Sequence, residues 1–324
     1  MQWMVMAEQI RKQNIRLFLD SVKVCKNFEN EGFANCILKG QGNALLYPDP
    51  YMRTPGDIDI YLSGGRRKIM KYVDQVCPNQ VMRYHHVDFP VMKTAIEVHF
   101  TPSYMFCPIH NRRMQKWFEE VMGEQCNHRA SLPDGYGEIH VPQVSFNVIY
   151  ILSHLYRHIF TEGIGLRQLL DYYFVLVKWH TDLTNLTDSN KSLPRMTQIN
   201  TDLDTLRHEL KYLGLWKFAQ AVMFVMKEVF GLSEDRMIAP MDEKEGSFLL
   251  DEIMRGGNFG QYDDRMGSKV GESKIHRYFR MNLRNLRFVK HYPTEALSEP
   301  LFRTWFAVWK NIHGKYSVQA VLCA

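Results

Sequence analysis

Asp57 and Asp59 stand one residue apart inside the apolar run Ile58, Ile60, Tyr61 and Leu62, a composition that favours an extended strand. A strand sends residues two apart to the same face, so the spacing predicts both carboxylates pointing the same way. Converging like charges call for a cation between them, and hard oxygen donors suit Mg2+ or Mn2+ rather than zinc. An isolated Asp-x-Asp is ordinarily a turn or a solvated edge; here it has company. Lys39, Gly40, Gln41 and Gly42 lie upstream, where backbone and an ammonium can approach phosphates, and Arg53 can grip a phosphate in bidentate fashion. Downstream, TAIEVHF at 94–100 reads as another strand, with Glu97 and His99 on one face and Ile96, Val98 and Phe100 on the other. If the polar faces adjoin, Glu97 completes a three-carboxylate cluster. His99 is then either a structural histidine or a substrate-binding one.

The elements that must position these groups follow from periodicity. Residues 1–34 carry apolar positions at helical spacing, predicting a helix that covers the sheet behind it. Asn35–Leu38 reads as a first strand, 40–42 as a turn, and 43–47 as a short helix stopped by Pro48 and Pro50. A helix is expected over 66–76, strands over 81–87 and 94–100, and a short strand over 138–141. Between 108 and 137 the basic residues Arg112, Arg113 and Lys116 predict a helix and a loop with a solvated face.

The second half changes character. Segments 144–160 and 164–180 read as helices, with His154 and His158 four apart on one face and Arg167 and Asp171 placed to pair. The histidine pair lacks the general-base glutamate of a helical zinc site, so packing is its expected role. Residues 181–204 read as a surface loop or disordered insertion, and 255–273 as a Gly-rich loop. The 275–310 tail interleaves basic and aromatic residues, a pattern that binds nucleic acid in some proteins but at helical spacing predicts an amphipathic helix with a solvated basic face. The division expected is therefore 1–142 as a catalytic domain and 143–324 as a helical domain forming the other wall of the cleft. The fold class is α+β, a mixed sheet flanked by helices followed by a mostly α-helical domain.

With 324 residues, 45% hydrophobic and 23% charged, the chain has the composition of a folded globular protein rather than a disordered one. A net charge of +5 fits an anionic ligand and falls short of a nucleic-acid coat. The 6 cysteines show neither C-x-x-C spacing nor zinc-finger histidines, which points to free thiols in a cytoplasmic setting. No apolar stretch is long enough for a membrane span.

The segment Leu38-Lys39-Gly40, Tyr47-Pro48, Arg53, Gly56-Asp57-Ile58-Asp59 resembles the nucleotidyltransferase superfamily that includes DNA polymerase β. More narrowly it is similar to an uncharacterised bacterial nucleotidyltransferase family often accompanying polysaccharide-synthesis genes, the likeness running on through Glu97-Val98-His99, His154, Asp171, Gly257–Gly260 and Tyr292-Pro293. The resemblance implies transfer of a nucleoside monophosphate from an NTP to a hydroxyl-bearing acceptor, with pyrophosphate leaving. It implies Mg2+ or Mn2+ held by Asp57, Asp59 and Glu97 and phosphates held by Lys39, Gly40, Gln41, Gly42 and Arg53; from spacing alone, His99 and Arg167 are secondary candidates for substrate contact, with structural pairing the expected role of each. Gln41 stands where the superfamily often has Ser or Gly, which keeps a catalytically weak or inactive nucleotide-binding module of the same fold as the alternative.

Overall fold

The computed structural model describes residues 2–189, 195–257 and 273–312. In chain order the elements are α1 (Gln2–Asn30), β1 (Asn35–Ile37), α2 (Gln41–Ala44), β2 (Ile58–Leu62), α3 (Gly65–Val76), β3 (His86–Asp88), β4 (Ile96–His99), α4 (Pro108–Gln125), β5 (Arg129–Ser131) and β6 (Glu138–His140). Helices α5 (Val144–Thr161), α6 (Leu166–Ser189), α7 (Arg195–Tyr212), α8 (Trp216–Phe230), α9 (Glu243–Gly256), α10 (Lys274–Val289) and α11 (Pro293–Ile312) complete it. The class is α+β, as the alternation of periods implied. The chain divides into two compact units, one built on residues 2–103, 115–146 and the end of α11 from Thr304, the other on 104–114 and 147–303.

The first unit contains a mixed sheet of order β1-β2-β4-β3. Strands β2 and β4 are parallel, while β1 and β3 run antiparallel to their neighbours. Period-2 alternation splits this sheet into two unlike faces. Ile37, Ile58, Ile60, Leu62, Val87, Ile96 and Val98 face a core filled by Phe18, Val22 and Phe28 of α1 and by Ile69 and Val73 of α3. Burying each such side chain contributes about 1.5–3 kcal/mol, which fixes the register: slipping β2 by one residue would turn its aspartate into the core. The opposite face takes the alternate residues, Asp59 and Tyr61 from β2, Glu97 and His99 from β4, and His86 and Asp88 from β3. A small hairpin, β5–β6, forms a separate two-stranded sheet.

The second unit is helical. Helix α8 buries Phe218, Val222, Val225 and Met226 and ends at Gly231, whose φ of 67° provides the left-handed turn that stops it. Helix α9 starts at Asp242, whose carboxylate caps Glu245 N at 3.0 Å. A side chain at Gly246 would sit 2.4 Å from the Phe224 ring, so the α8–α9 contact depends on that glycine.

Several sequence expectations shift. The strand expected over 81–87 is a tight hairpin: Met82 bridges Val87, Arg83 N donates to His86 O at 2.8 Å, and only His86–Asp88 is strand. The short helix begins earlier, at Gln41, so Gly42 is helical rather than part of the turn. The loop expected over 181–204 is helical wherever it is described, as the end of α6 and the start of α7. The Gly-rich loop expected over 255–273 lies outside the described residues apart from its ends, and Cys323 lies outside as well. On α10 the expected solvated basic face is partly inverted: Arg284 is buried and donates to Ile159 O at 2.8 Å, while Ile275, Phe279, Leu283 and Leu286 are exposed. The buried face of α10 combines the apolar Met281 and Phe288 with Arg284 and Asn285, the latter donating to Phe160 O and Glu299 Oε2 at 3.1 Å each. Among the described residues no helix is long and apolar enough to cross a membrane.

Candidate active site

Everything in this site belongs to the first unit. Asp59 and Glu97 are register partners across the parallel β2–β4 pair, so their carboxylates rise from the same face. His99, two residues beyond Glu97, places Nε2 3.0 Å from Asp59 Oδ1 and 3.6 Å from Glu97 Oε2. Donor atoms of Asp59, Glu97 and His99 all lie within 4.8 Å of one another. Lys39 arrives from the end of β1, where Leu38 N extends the pairing by donating to Asp59 O at 2.9 Å. Its Nζ lies 3.2 Å from Asp59 Oδ2. Asp57 immediately precedes β2 and is half-buried, outside that triplet but close enough for Asp59 to dominate its electrostatics.

The charges are unequal in a way the geometry explains. Repulsion from Asp59, with burial second, pushes the Asp57 carboxyl up to about 6 against the pull of Lys39. Burial alone would raise Asp59 too, but the Lys39 ammonium and the His99 hydrogen bond outweigh it and hold that carboxyl well below the usual range. Glu97 is likewise drawn down, its burial outweighed by His99. His99 shows the converse: burial opposes its proton, and the two carboxylates restore it, so its pKa is raised. Asp59 and Glu97 are thus set as anions, and Asp57 is the member with proton affinity near neutrality.

The loop between α2 and β2 is pinned by a residue the sequence reading passed over. Asn14, buried in α1, donates from Nδ2 to both Tyr51 O and Arg53 O at 2.7 Å. Tyr51 is also held by Asp49, by Asp134 through its hydroxyl at 2.6 Å, and by the Arg11 guanidinium 4.2 Å over its ring. Arg53 is itself buried, with Nη1 3.3 Å from Thr54 O.

The glycines have different reasons. Gly40 adopts φ 58° and ψ −104°, a backbone only glycine tolerates, with Asp57 O 3.5 Å from where a side chain would begin. At Gly42 an added Cβ would lie 3.0 Å from Val141 Cγ1, so this glycine lets α2 seat against the residue following β6. Gln41 is 1% exposed, and neither its Oε1 nor its Nε2 has a hydrogen-bond partner. Arg167 lies in the second unit, on α6.

The model of the family described as "uncharacterised nucleotidyltransferase" matches residues 1–231. The chain belongs to that family. The matched span takes in the whole described site, from Asn14 to Glu97 and His99, and it stops before the Gly257–Gly260 and Tyr292-Pro293 landmarks. No curated protein and no solved structure matches the chain. For a nucleotidyltransferase the donor set is suited to a divalent cation: paired anionic oxygens on one sheet face, whose mutual repulsion is visible in the raised Asp57 carboxyl.

Sequence reasoning also missed His85 and His86, both buried beside this cluster, with His86 Nδ1 3.5 Å from Glu97 Oε2. The signal was present in the alternation of His86 and Asp88, which places them on the same face as Glu97 and His99. His154 and His158 do share a face of α5, with ring centroids 4.3 Å apart, and Arg157 donates to His158 Nε2 at 3.0 Å. Neither belongs to a metal-binding cluster among the described residues.

Proposed function

We propose that this chain moves a nucleoside monophosphate from an NTP to a hydroxyl-bearing acceptor, with release of pyrophosphate, using Asp57, Asp59 and Glu97 to hold Mg2+ or Mn2+. The single observation that carries the reading is the pairing of Asp59 with Glu97 across β2–β4, with Asp57 just upstream on the same polar side. A divalent ion held there supplies charge to the phosphate oxygens of the nucleotide. The rest is done by the chain. Lys39, the backbone at Gly40–Gly42 and Arg53 on its pinned loop would hold the triphosphate. The acceptor oxygen forms a bond to the α-phosphorus as the bond to the pyrophosphate oxygen breaks. The hydroxyl proton passes to a carboxylate. Glu97, paired with Asp59 across β2–β4, is placed to take it. His99 positions the two carboxylates.

The test is binding of a non-hydrolysable NTP analogue to the full chain in the presence and absence of Mn2+. Metal-dependent binding that Asp57→Asn and Glu97→Gln each weaken at least about tenfold supports the reading. Equal affinity with and without metal would sink it.

A second reading is favoured by the Lys39–Asp59 ion pair at 3.2 Å, which neutralises a metal-ligand carboxylate from within. On this reading the unit binds nucleotide without transferring it. Such a module takes up nucleotide yet never releases pyrophosphate in the presence of any acceptor.

A further inference from the structure

A cluster of imidazoles lies next to the carboxylates, on the same face of the sheet. The Arg83–His86 hairpin turn folds His85 back onto His86, and β3 pairs His86 with His99 of β4. The rings are 5%, 6% and 1% exposed, with centroids 4.4 Å apart for His85 and His86 and 5.1 Å from each of these to His99. A ring nitrogen of each lies within 4.8 Å of the others. His85 Nε2 and His86 Nδ1 are 3.2 Å apart, close to the edge of about 3.3 Å that two nitrogens share on a tetrahedral ion with metal–nitrogen bonds near 2.0 Å.

Packing alone accounts poorly for this arrangement. Each imidazole buries two ring nitrogens, and leaving one unsatisfied is costly. His86 Nε2 and His99 Nδ1 are buried without a hydrogen-bond partner. Apolar side chains of the same size would fill the space without that penalty. If the inner nitrogens are ligands, the outer ones carry the ring protons.

We propose that His85, His86 and His99 hold a first-row transition-metal ion of the Zn2+ or Co2+ class beside the Asp59–Glu97 pair. Imidazole donors prefer such ions to Mg2+, so this position and the oxygen-lined one differ in the ion they select while sharing His99. The inference rests on the imidazole geometry and stands or falls apart from the transfer reaction, because it is read without nucleotide.

The experiment uses the full chain, stripped with a chelator and titrated with Co2+ while its visible d–d absorption is followed. The expected result is about one Co2+ per chain, absorbing more strongly than the aqueous ion, displaced by Zn2+ and unaffected by excess Mg2+. His85→Gln and His86→Gln should each weaken Co2+ binding at least about tenfold. Because a buried variant can fail to fold, X-ray absorption on the Zn2+-loaded wild-type chain gives an independent reading, a shell containing imidazole nitrogens near 2.0 Å. An aqueous-like cobalt spectrum, unchanged affinity in both histidine variants, or an oxygen-only zinc shell would overturn the proposal. Mg2+-dependent nucleotide binding alongside any of those results would leave the transfer reading intact.

Discussion

Asp59 and Glu97 face each other across adjacent parallel strands, and His99 Nε2 reaches both, at 3.0 and 3.6 Å. The relationship follows from period-2 alternation in two strands whose other faces are fully committed to the apolar core, so the carboxylates have nowhere else to point. Their convergence is electrostatically costly, and that cost makes the site testable without knowing the acceptor.

Asp57 bears the cost most directly. Its carboxyl is raised to about 6, above the unfolded value near 4. A raised carboxyl binds its proton more tightly in the fold, so ionising it destabilises the protein as pH climbs from about 4 through 6, and the penalty is complete above that range. Asp57→Asn is therefore expected to raise the melting temperature of the metal-free chain at pH 8, to change it little at pH 4, and to weaken Mn2+ binding. Thermal melts at the two pH values check the sign.

Asp59 is expected to behave oppositely. Its folded carboxyl is depressed, so its contribution is present above the unfolded pKa near 4 and is lost only as pH falls toward the lower folded value. Asp59→Asn strands Lys39 and the His99 proton beside a neutral amide and should cost about 3 kcal/mol at pH 7. Denaturant unfolding of the single and Lys39→Met double variants measures it, with the double variant recovering part of the loss.

Gly42 gives a purely steric prediction. An added methyl meets Val141 Cγ1 at 3.0 Å, so Gly42→Ala should destabilise by about 1–2 kcal/mol. Val141→Ala makes room, and the double variant should be more stable than the sum of the single losses implies. Gly40→Ala, strained by its φ of 58°, should find no such rescue.

Asn14 should matter through the loop it holds. Replacing it with alanine removes the Nδ2 bonds to Tyr51 O and Arg53 O and leaves both carbonyls unsatisfied, a loss of about 1–3 kcal/mol. If Arg53 grips phosphate, Asn14→Ala also weakens nucleotide binding more than metal binding, which paired calorimetric titrations separate.

The facing of the polar residues on β2 and β4 was legible in the sequence because alternation in a strand is local: Asp59, Glu97 and His99 each declare a face by their apolar neighbours. What lay beyond reach was decided by distant contacts. Lys39 meets Asp59 through β1–β2 pairing, Asn14 reaches a loop 37 residues away, and Gly42 owes its identity to Val141. The His85–His86 turn was hidden because a strand reading of 81–87 fitted propensity, while the bend there is set by the Arg83–His86 hydrogen bond. Helix α10 misled in another way: amphipathic spacing shows that a helix has two faces, and the one that is buried carries Arg284 and Asn285 together with Met281 and Phe288.

The central claim is tested most directly by following isotope from NTPs labelled at the α- or γ-phosphate, incubated with the full chain, Mg2+ or Mn2+, and fractionated cell extract as a source of acceptors. The account predicts α-label moving into a new product with equimolar pyrophosphate, and none with Asp57→Asn or Glu97→Gln. Metal-dependent nucleotide binding with no α-label transferred from any fraction, or transfer of γ-label alone, would contradict it.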